Sequence, residues 1–181
     1  SGGRLRQYIN VPMQMEDWHN VLTYARNRAD VDADRIVIWS TSFGGGLATH
    51  VAHDDGNIRA VVAQCPMMDN PKTIKLGMSQ RSSAQNNKLK RLAVRAELMN
   101  LVGLRGPCLP VTDPSRMSII PSDESVKFHE VGGPTWRNEV AVLSFAKGQT
   151  LVNNPIRIAD GFTTPLLLQI CEKDETVDNA G

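Results

Sequence analysis

The chain has 181 residues, a formal net charge of +1, and side chains that are 41% hydrophobic and 22% charged. These values are typical of an ordinary soluble globular protein with one sizeable core, and no apolar run is long enough to cross a bilayer. The near-neutral charge gives no reason to expect a nucleic-acid or anionic-membrane partner. Composition does not predict the oligomeric state.

The cysteines indicate a reducing environment. Cys65, Cys108 and Cys171 are an odd number, lie far apart along the chain and lack the spacing of a metal-binding motif. We therefore expect reduced thiols and a cytoplasmic location. Because the chain begins at Ser1 rather than Met, we also expect the native N-terminus to be absent.

In chain order, the first predicted elements alternate between helix and strand. Apolar residues with helical spacing predict an amphipathic helix over residues 15–29, and a run rich in β-branched residues predicts a buried strand over 35–39. A helix through His53 and a second buried strand over 58–65 follow. Two apolar strands joined by a helix should be parallel neighbours in one sheet.

The middle of the chain differs in character. Residues 72–160 show no strand pattern and predict a helical insertion, with a polar loop at 80–87 and helices over 88–104 and about 136–147. A third buried strand is predicted over 166–171, parallel to the first two. It ends in a polar loop, and ligands of open α/β sheets bind at that end of the strands.

The turn after the first strand carries the strongest chemical signal. Ser40, Ser42 and Gly44 form a Ser-x-Ser-x-Gly motif between strand and helix, the context of a nucleophile elbow. Such a turn lifts Ser42 above the sheet edge, needs small residues two positions before and after it, and favours a positive φ. A phosphate-binding loop would need Lys where Leu47 stands, and the glycine spacing does not fit a dinucleotide fingerprint. The remaining alternative is a glycine-rich strand-to-helix turn in which the serine has no catalytic role.

A nucleophilic serine needs a histidine base that a carboxylate orients. Asp174 follows the third predicted strand and is the first candidate for the acid, while Asp69 follows the second strand and is the alternative. A histidine is expected after Asp174, but none follows it. For each histidine in the chain, an ordinary packing or surface role is the favoured interpretation: His19, His50, His53 and His129.

Four stretches resemble α/β hydrolases of the dienelactone hydrolase and X-Pro dipeptidyl-peptidase-like group, which includes fungal polyketide acyl-transferase relatives. They are residues 34–46, 61–66, 136–141 and 171–174. The resemblance implies the α/β-hydrolase fold, a parallel doubly wound sheet with a helical cap insertion, here truncated at both ends. It divides the chain into a core with the elbow, a cap insertion, and a core strand with the acid loop: 1–71, 72–160 and 161–181.

The resemblance also implies the roles of the site residues. Ser42 would be the nucleophile, Asp174 the acid, and the backbone N–H of Phe43 one half of an oxyanion hole. No metal or organic cofactor is implied, and the partner is a small-molecule acyl substrate. One departure concerns the acid loop, where Asp178 stands in place of an expected proline.

These residues predict a serine hydrolase that acts on an ester, thioester or amide through an acyl-enzyme. The alternatives are an acyl transferase of secondary metabolism with the same nucleophile, and a non-catalytic binding protein with a hydrolase fold. Because the chain supplies neither an evident base nor the second oxyanion donor, we expect these 181 residues alone to be inactive.

Overall fold

The computed structural model describes residues 6–113, 115–122, 125, 127, 132–146 and 154–178. In chain order, its helices and strands are α1 (Val11–Arg26), β1 (Val37–Thr41), α2 (Ser42–Asp55), β2 (Ala60–Gln64), α3 (Asn70–Ser79), α4 (Ser83–Leu101), β3 (Cys108–Leu109), β4 (Val140–Ala141), α5 (Leu143–Ala146), a 3₁₀ helix (Pro155–Gly161) and β5 (Leu166–Gln169). No helix in the described ranges is long and apolar enough to cross a membrane.

The described residues form two compact units. The sheet unit comprises 11–73 and 154–178, and the second unit comprises 6–10 and the described part of 74–146. The division of the chain into a hydrolase core and a cap insertion stays a prediction.

A three-stranded parallel sheet organises the sheet unit. The strand order is β1-β2-β5, with Val37 opposite Ala60 and Val61 opposite Leu166. The predicted adjacency and parallel pairing of the three apolar strands are therefore confirmed. The helix α2 connects β1 to β2 and packs on both. The buried core of the unit lies between these elements and α1: Leu22, Ile38, Ala48, Val51, Ala52, Ile58, Val61 and Ala63.

The third strand is less buried than predicted. Leu167 is 55% exposed, Leu168 41% and Ile170 58%, so the expectation of a buried strand over 166–171 is wrong. The expectation of a buried strand over 35–39 is wrong in the same way, since Val37 is 54% exposed and Trp39 59%. β5 is an edge strand that pairs only with β2 in the described part of the chain. An apolar run identifies a strand, but it does not say which other elements cover that strand.

The second unit contains strands that the sequence did not predict. β3 and β4 pair antiparallel, with Cys108 opposite Ala141. Two-residue strands are too short to show an alternating pattern, so the expectation of a purely helical insertion was wrong here. The helix predicted from residue 136 begins instead at Leu143, since Val140 lies in β4. The predicted end of that helix, Lys147, lies outside the described residues.

The helix α4 begins earlier than predicted because its start is capped. The Gln85 N–H donates to Ser82 Oγ at 3.2 Å, and the Ser82 N–H donates to Gln85 Oε1 at 2.9 Å. This reciprocal capping box satisfies two backbone donors that would otherwise lack partners. The polar residues 80–87, predicted as a loop, therefore include the helix start.

An ion pair joins the C-terminal ends of α1 and α2. Arg26 Nη1 donates to Asp55 Oδ2 at 2.8 Å, and Arg26 Nη2 donates to Asp55 Oδ1 at 2.6 Å. The hydrogen bond from Arg26 is the main reason that the pKa of Asp55 lies below its ordinary value of 3.8. The carboxylate form is therefore the one that stabilises the fold.

The substitution Asp55→Asn should lower the free energy of unfolding at pH 7 by roughly 1–2 kcal/mol, the range of a charge-assisted pair that is not fully buried. Because the pKa of Asp55 is depressed in the folded state, its contribution is complete above the unfolded value of about 4 and is lost as the pH falls through the lower folded value. Urea unfolding of both proteins between about pH 2.5 and 7 would measure this.

The control is Asp30→Asn, which removes the exposed pair between Asp30 and Arg28. It should change stability much less. If the difference between wild type and Asp55→Asn persists unchanged at the lowest pH, the carboxylate is not its source.

Candidate active site

The connection between β1 and α2 has an uncommon backbone. β1 ends at Thr41 and α2 begins at Ser42, which has φ = 52°. That left-handed conformation is rare for a residue other than glycine and costs about 1–3 kcal/mol. The Ser42 carbonyl accepts a hydrogen bond from the Met67 N–H at 3.0 Å, which ties the turn to the segment after β2. Ser42 is exposed at the carboxyl edge of the sheet.

Two glycines allow the first turn of α2 to lie against its neighbours. A Cβ on Gly44 would lie 2.5 Å from Ser40 Oγ, so the expectation that positions 40 and 44 must be small is confirmed. A Cβ on Gly45 would lie 2.8 Å from Pro66 Cβ and 3.2 Å from Pro66 Cα. The sequence analysis gave Gly45 no role, although three successive glycines at a helix start were a signal of close packing.

The start of α2 also provides backbone donors. Phe43 is the second residue of the helix and is half-buried. Its N–H is one of the first four in the helix, which have no carbonyl acceptor in a preceding turn. The positive end of the helix dipole lies at the same place. An anionic oxygen near Ser42 could therefore accept a hydrogen bond from Phe43.

Asp174 lies in the loop that follows β5. Its Oδ1 accepts hydrogen bonds from the Thr176 N–H at 2.8 Å and the Val177 N–H at 2.9 Å, and these bonds orient the half-buried carboxylate. The Asp178 N–H donates to Thr73 Oγ1 at 3.3 Å, which ties the loop to α3. Because the three strands are parallel, the segments after β1, β2 and β5 share one sheet edge. The structure thus brings Ser42 and Asp174 to the same edge.

The alternative acid, Asp69, caps a helix. It immediately precedes α3, and its Oδ1 accepts a hydrogen bond from the Lys72 N–H at 3.2 Å. The Lys72 Nζ lies 3.7 Å from Asp69 Oδ2. This carboxylate therefore has a structural task at the helix start. The choice of Asp174 as the acid stays a prediction.

The described histidines do not lie at the start of α2. His50 and His53 follow Ser42 along the helix by about 12 Å and 16 Å of axial rise. Burial lowers the pKa of His50. His19 Nδ1 lies 2.7 Å from the Met15 carbonyl oxygen within α1. His129 lies outside the described residues.

A pair of thiols adjoins Asp174. Cys65 follows β2, and its N–H donates to the Gln169 carbonyl of β5 at 2.6 Å. The Sγ atoms of Cys65 and Cys171 and a carboxylate oxygen of Asp174 all lie within 4.8 Å of one another. The pKa of Cys65 is raised to about 11, mainly by its hydrogen bond with the Cys171 side chain. Burial and the neighbouring negative charges of Cys171 and Asp174 contribute to the same increase.

This cluster was not predicted, because the spacing of the cysteines along the chain does not show that Cys65 and Cys171 meet. The signal that could have found it is the strand order. Cys65 and Cys171 stand at the carboxyl ends of two strands that were predicted to be parallel. Had the strand order β1-β2-β5 also been predicted, the two thiols would have been placed together.

Parts of the chain are similar in sequence to known proteins. Residues 12–98 match the model of the prolyl oligopeptidase family, Peptidase_S9. The quorum-quenching protein AidA of Acinetobacter baumannii is 36% identical over 119 residues, which cover 64% of this chain and 36% of that protein. Other relatives are named as thiohydrolases and polyketide transferases of fungi.

Two solved structures share the fold across nearly the whole chain. DcsB in complex with its substrate analogue has a TM-score of 0.75 at 21% identity, covering 97% of this chain and 60% of DcsB. The α/β hydrolase GrgF from Penicillium sp. sh18 has a TM-score of 0.73 at 20% identity, covering 96% of this chain and 58% of GrgF. The chain thus spans about a third of AidA and about 60% of these two structures.

The chain has the fold of the α/β hydrolase GrgF, residues 12–98 resemble the prolyl oligopeptidase family, and thiohydrolases and polyketide transferases are among its relatives. The predicted fold class and the predicted resemblance to fungal polyketide transferases are confirmed.

The substitution Gly45→Ala should destabilise the sheet unit, because the new methyl group would press on Pro66. Overpacking of this kind costs about 1–3 kcal/mol, which outweighs the gain of up to about 1 kcal/mol that alanine brings to a helix. Urea unfolding followed by circular dichroism would measure the change in free energy of unfolding.

The matched control is Gly77→Ala in α3, where the nearest atom to a Cβ would be Arg81 Nη1 at an ordinary 3.5 Å. This variant should be as stable as wild type or slightly more stable. Equal stability of the two variants would mean that α2 does not pack on Pro66 as described.

Proposed function

We propose that the complete protein containing this chain is a serine hydrolase that cleaves an ester, thioester or amide through an acyl-enzyme on Ser42. The observation that carries the proposal is the backbone at Ser42. A serine held at φ = 52° and exposed at a strand-to-helix turn has the geometry that a nucleophile elbow requires. Strain of this kind persists only where the surrounding packing enforces it.

In this proposal, Ser42 Oγ attacks the substrate carbonyl while a histidine takes its proton. The Phe43 N–H, at the start of α2, donates to the oxygen that becomes negative in the tetrahedral intermediate. One such donor is worth about 10²–10³ in turnover. Collapse of the intermediate expels the leaving group and leaves the acyl group on Ser42.

Asp174 is proposed to orient the histidine and to stabilise its protonated form. The two backbone N–H groups that bind Asp174 Oδ1 fix the carboxylate at the edge where Ser42 lies. Neither His50 nor His53 reaches that edge. The base is therefore proposed to be His129 or a histidine of the complete protein outside these 181 residues.

The names of the relatives support a small acyl substrate. They leave two candidate acceptors for the acyl group, water and an alcohol. Thiohydrolases pass an acyl group to water, and polyketide transferases are the specific reason to retain an acyl transferase as the second candidate. The acyl-enzyme on Ser42 is common to both. Product analysis with and without an added alcohol acceptor would separate them, since only a transferase gives the new ester in preference to the free acid.

In the complete protein, Ser42→Ala should abolish covalent labelling by a serine-directed phosphonate and lower ester turnover by roughly 10⁴-fold or more, the range for removal of a triad nucleophile. Mass spectrometry of the labelled protein and steady-state kinetics measure the two effects. Ser40→Ala is the matched control and should preserve labelling and turnover, because Ser40 only provides clearance for Gly44.

Labelling that survives in Ser42→Ala would assign the nucleophile to another residue. A complete protein that neither reacts with the phosphonate nor turns over any acyl substrate would instead support a non-catalytic binding protein with the same fold.

The acid can be tested with a second matched pair. Asp174→Asn should lower turnover by about 10³–10⁴-fold, because an amide cannot hold the imidazole in the required tautomer or stabilise its positive charge. Asp69→Asn should have little effect, since asparagine caps helices as well as aspartate does. The reverse ranking of the two variants in steady-state kinetics would make Asp69 the acid.

A further inference from the structure

The loops after β2 and β5 bring two thiols, which have no role in the proposed catalysis, next to the carboxylate that is proposed as the acid. The Sγ atoms of Cys65 and Cys171 and an oxygen of Asp174 lie within 4.8 Å of one another. In zinc sites the Zn–S distance is about 2.3 Å and the Zn–O distance about 2.0–2.2 Å, so two ligand atoms of one tetrahedral ion lie about 3.5–3.8 Å apart. Side-chain shifts of up to about 1 Å would therefore bring all three donors onto one ion.

The backbone holds these donors in place. Gln64 lies opposite Gln169 in the parallel pair, and the Cys65 N–H donates to the Gln169 carbonyl at 2.6 Å. The carboxylate of Asp174 is oriented by two backbone N–H groups of its own loop. Donors carried at the ends of paired strands are better preorganised than donors on long loops.

We propose that Cys65, Cys171 and Asp174 form a binding site for a single soft divalent cation, with Zn²⁺ as the probe and water as the fourth ligand. Two thiolates and a carboxylate suit zinc, which prefers sulfur and tolerates oxygen in a tetrahedral arrangement. The ion's charge deprotonates a coordinating thiol, so the two thiol protons pass to the solvent when the ion binds. The half-buried Cys65 and the exposed Cys171 leave an entry path from solvent.

The site has a consequence for catalysis, which rests on the proposed function. Asp174 cannot orient an imidazole and ligate a cation in the same geometry. Zinc at this site should therefore inhibit acyl turnover by withdrawing the acid from the triad. Reaction of Ser42 with the phosphonate should fall in parallel, because it needs the same base.

Binding is tested on the 181-residue chain, reduced with a phosphine that leaves no competing thiol. Equilibrium dialysis should give one Zn²⁺ per chain, and Co²⁺ should produce a sulfur-to-metal charge-transfer absorption. Cys171→Ser should weaken zinc binding by more than about 100-fold, since loss of an outer-shell partner alone costs 10–100-fold. Cys108→Ser, which alters the remaining cysteine, should bind zinc like wild type.

Absence of stoichiometric zinc in the reduced chain, or unchanged affinity in Cys171→Ser, would overturn the site. So would a cobalt complex without charge-transfer absorption, because it would place the ion away from the thiols. Cys171 is exposed, so its replacement by serine should leave the fold intact, as circular dichroism can verify.

Inhibition is tested separately on the complete protein. Zinc should inhibit wild type and Cys108→Ser in the concentration range of its measured affinity, and Cys171→Ser should need at least about 100 times more. Full turnover with the site saturated would overturn the link to Asp174 while binding data uphold the site. A metal-free protein without turnover would count against the proposed function and leave the binding result unaffected.

Discussion

The close approach of the first turn of α2 to the strands is the constraint on which the rest of the site depends. There is no room for a side chain at Gly44 beside Ser40, nor at Gly45 beside Pro66. With the helix pressed onto the sheet in this way, the chain must reverse direction within one residue, and Ser42 takes the positive φ that this requires. The bond from the Met67 N–H to the Ser42 carbonyl fixes the turn from the other side.

Packing along the length of α2 offsets the free-energy cost of that backbone strain. Its inner face buries Leu47, Ala48, Val51 and Ala52. Burial of an aliphatic side chain contributes about 1.5–3 kcal/mol, so the larger of these residues together exceed the 1–3 kcal/mol that the turn costs. At its C-terminal end the helix closes on Gly56 with φ = 70°, and Asp55 pairs with Arg26 of α1. This packing allows α2 to begin at a strained, exposed Ser42.

The parts of the fold that could be predicted are those in which local pattern and long-range packing agree. The strands β1 and β2 are apolar runs separated by a helix, and short right-handed crossovers leave few alternatives to a parallel pair. The positive φ at Ser42 was predictable for the same reason, because small residues at 40 and 44 flank it in a strand-to-helix turn. The start of α4 was missed although the signal was local, since the capping pair Ser82 and Gln85 stood within a stretch that composition marked as a loop.

Other features depend on contacts that no local pattern contains. The exposure of Leu167 on β5 depends on what packs against an edge strand, and the two-residue strands β3 and β4 exist only through each other. The meeting of Cys65 and Cys171 is of the same kind, because the two residues are more than a hundred positions apart. Their proximity follows from strand order alone, which a hydrophobic pattern does not fix.

The two candidate acids have different surroundings in the structure. Asp69 and Asp174 both follow the carboxyl end of a parallel strand, so position alone treats them alike. One Asp69 oxygen caps α3 by accepting a hydrogen bond from the Lys72 N–H. The other Asp69 oxygen lies 3.7 Å from the Lys72 ammonium. Asp174 Oδ1 is oriented by two backbone N–H groups of its own loop.

A triad acid works as a negative charge that stabilises a protonated imidazole, so a neighbouring ammonium weakens a carboxylate in that role. The ammonium therefore counts against Asp69 as the acid. A carboxylate beside two thiols is the donor set that makes the edge after β5 attractive to a divalent cation. Catalysis and metal binding would therefore compete for one carboxylate, and the strand order β1-β2-β5 that builds the hydrolase edge is the reason that both meet there.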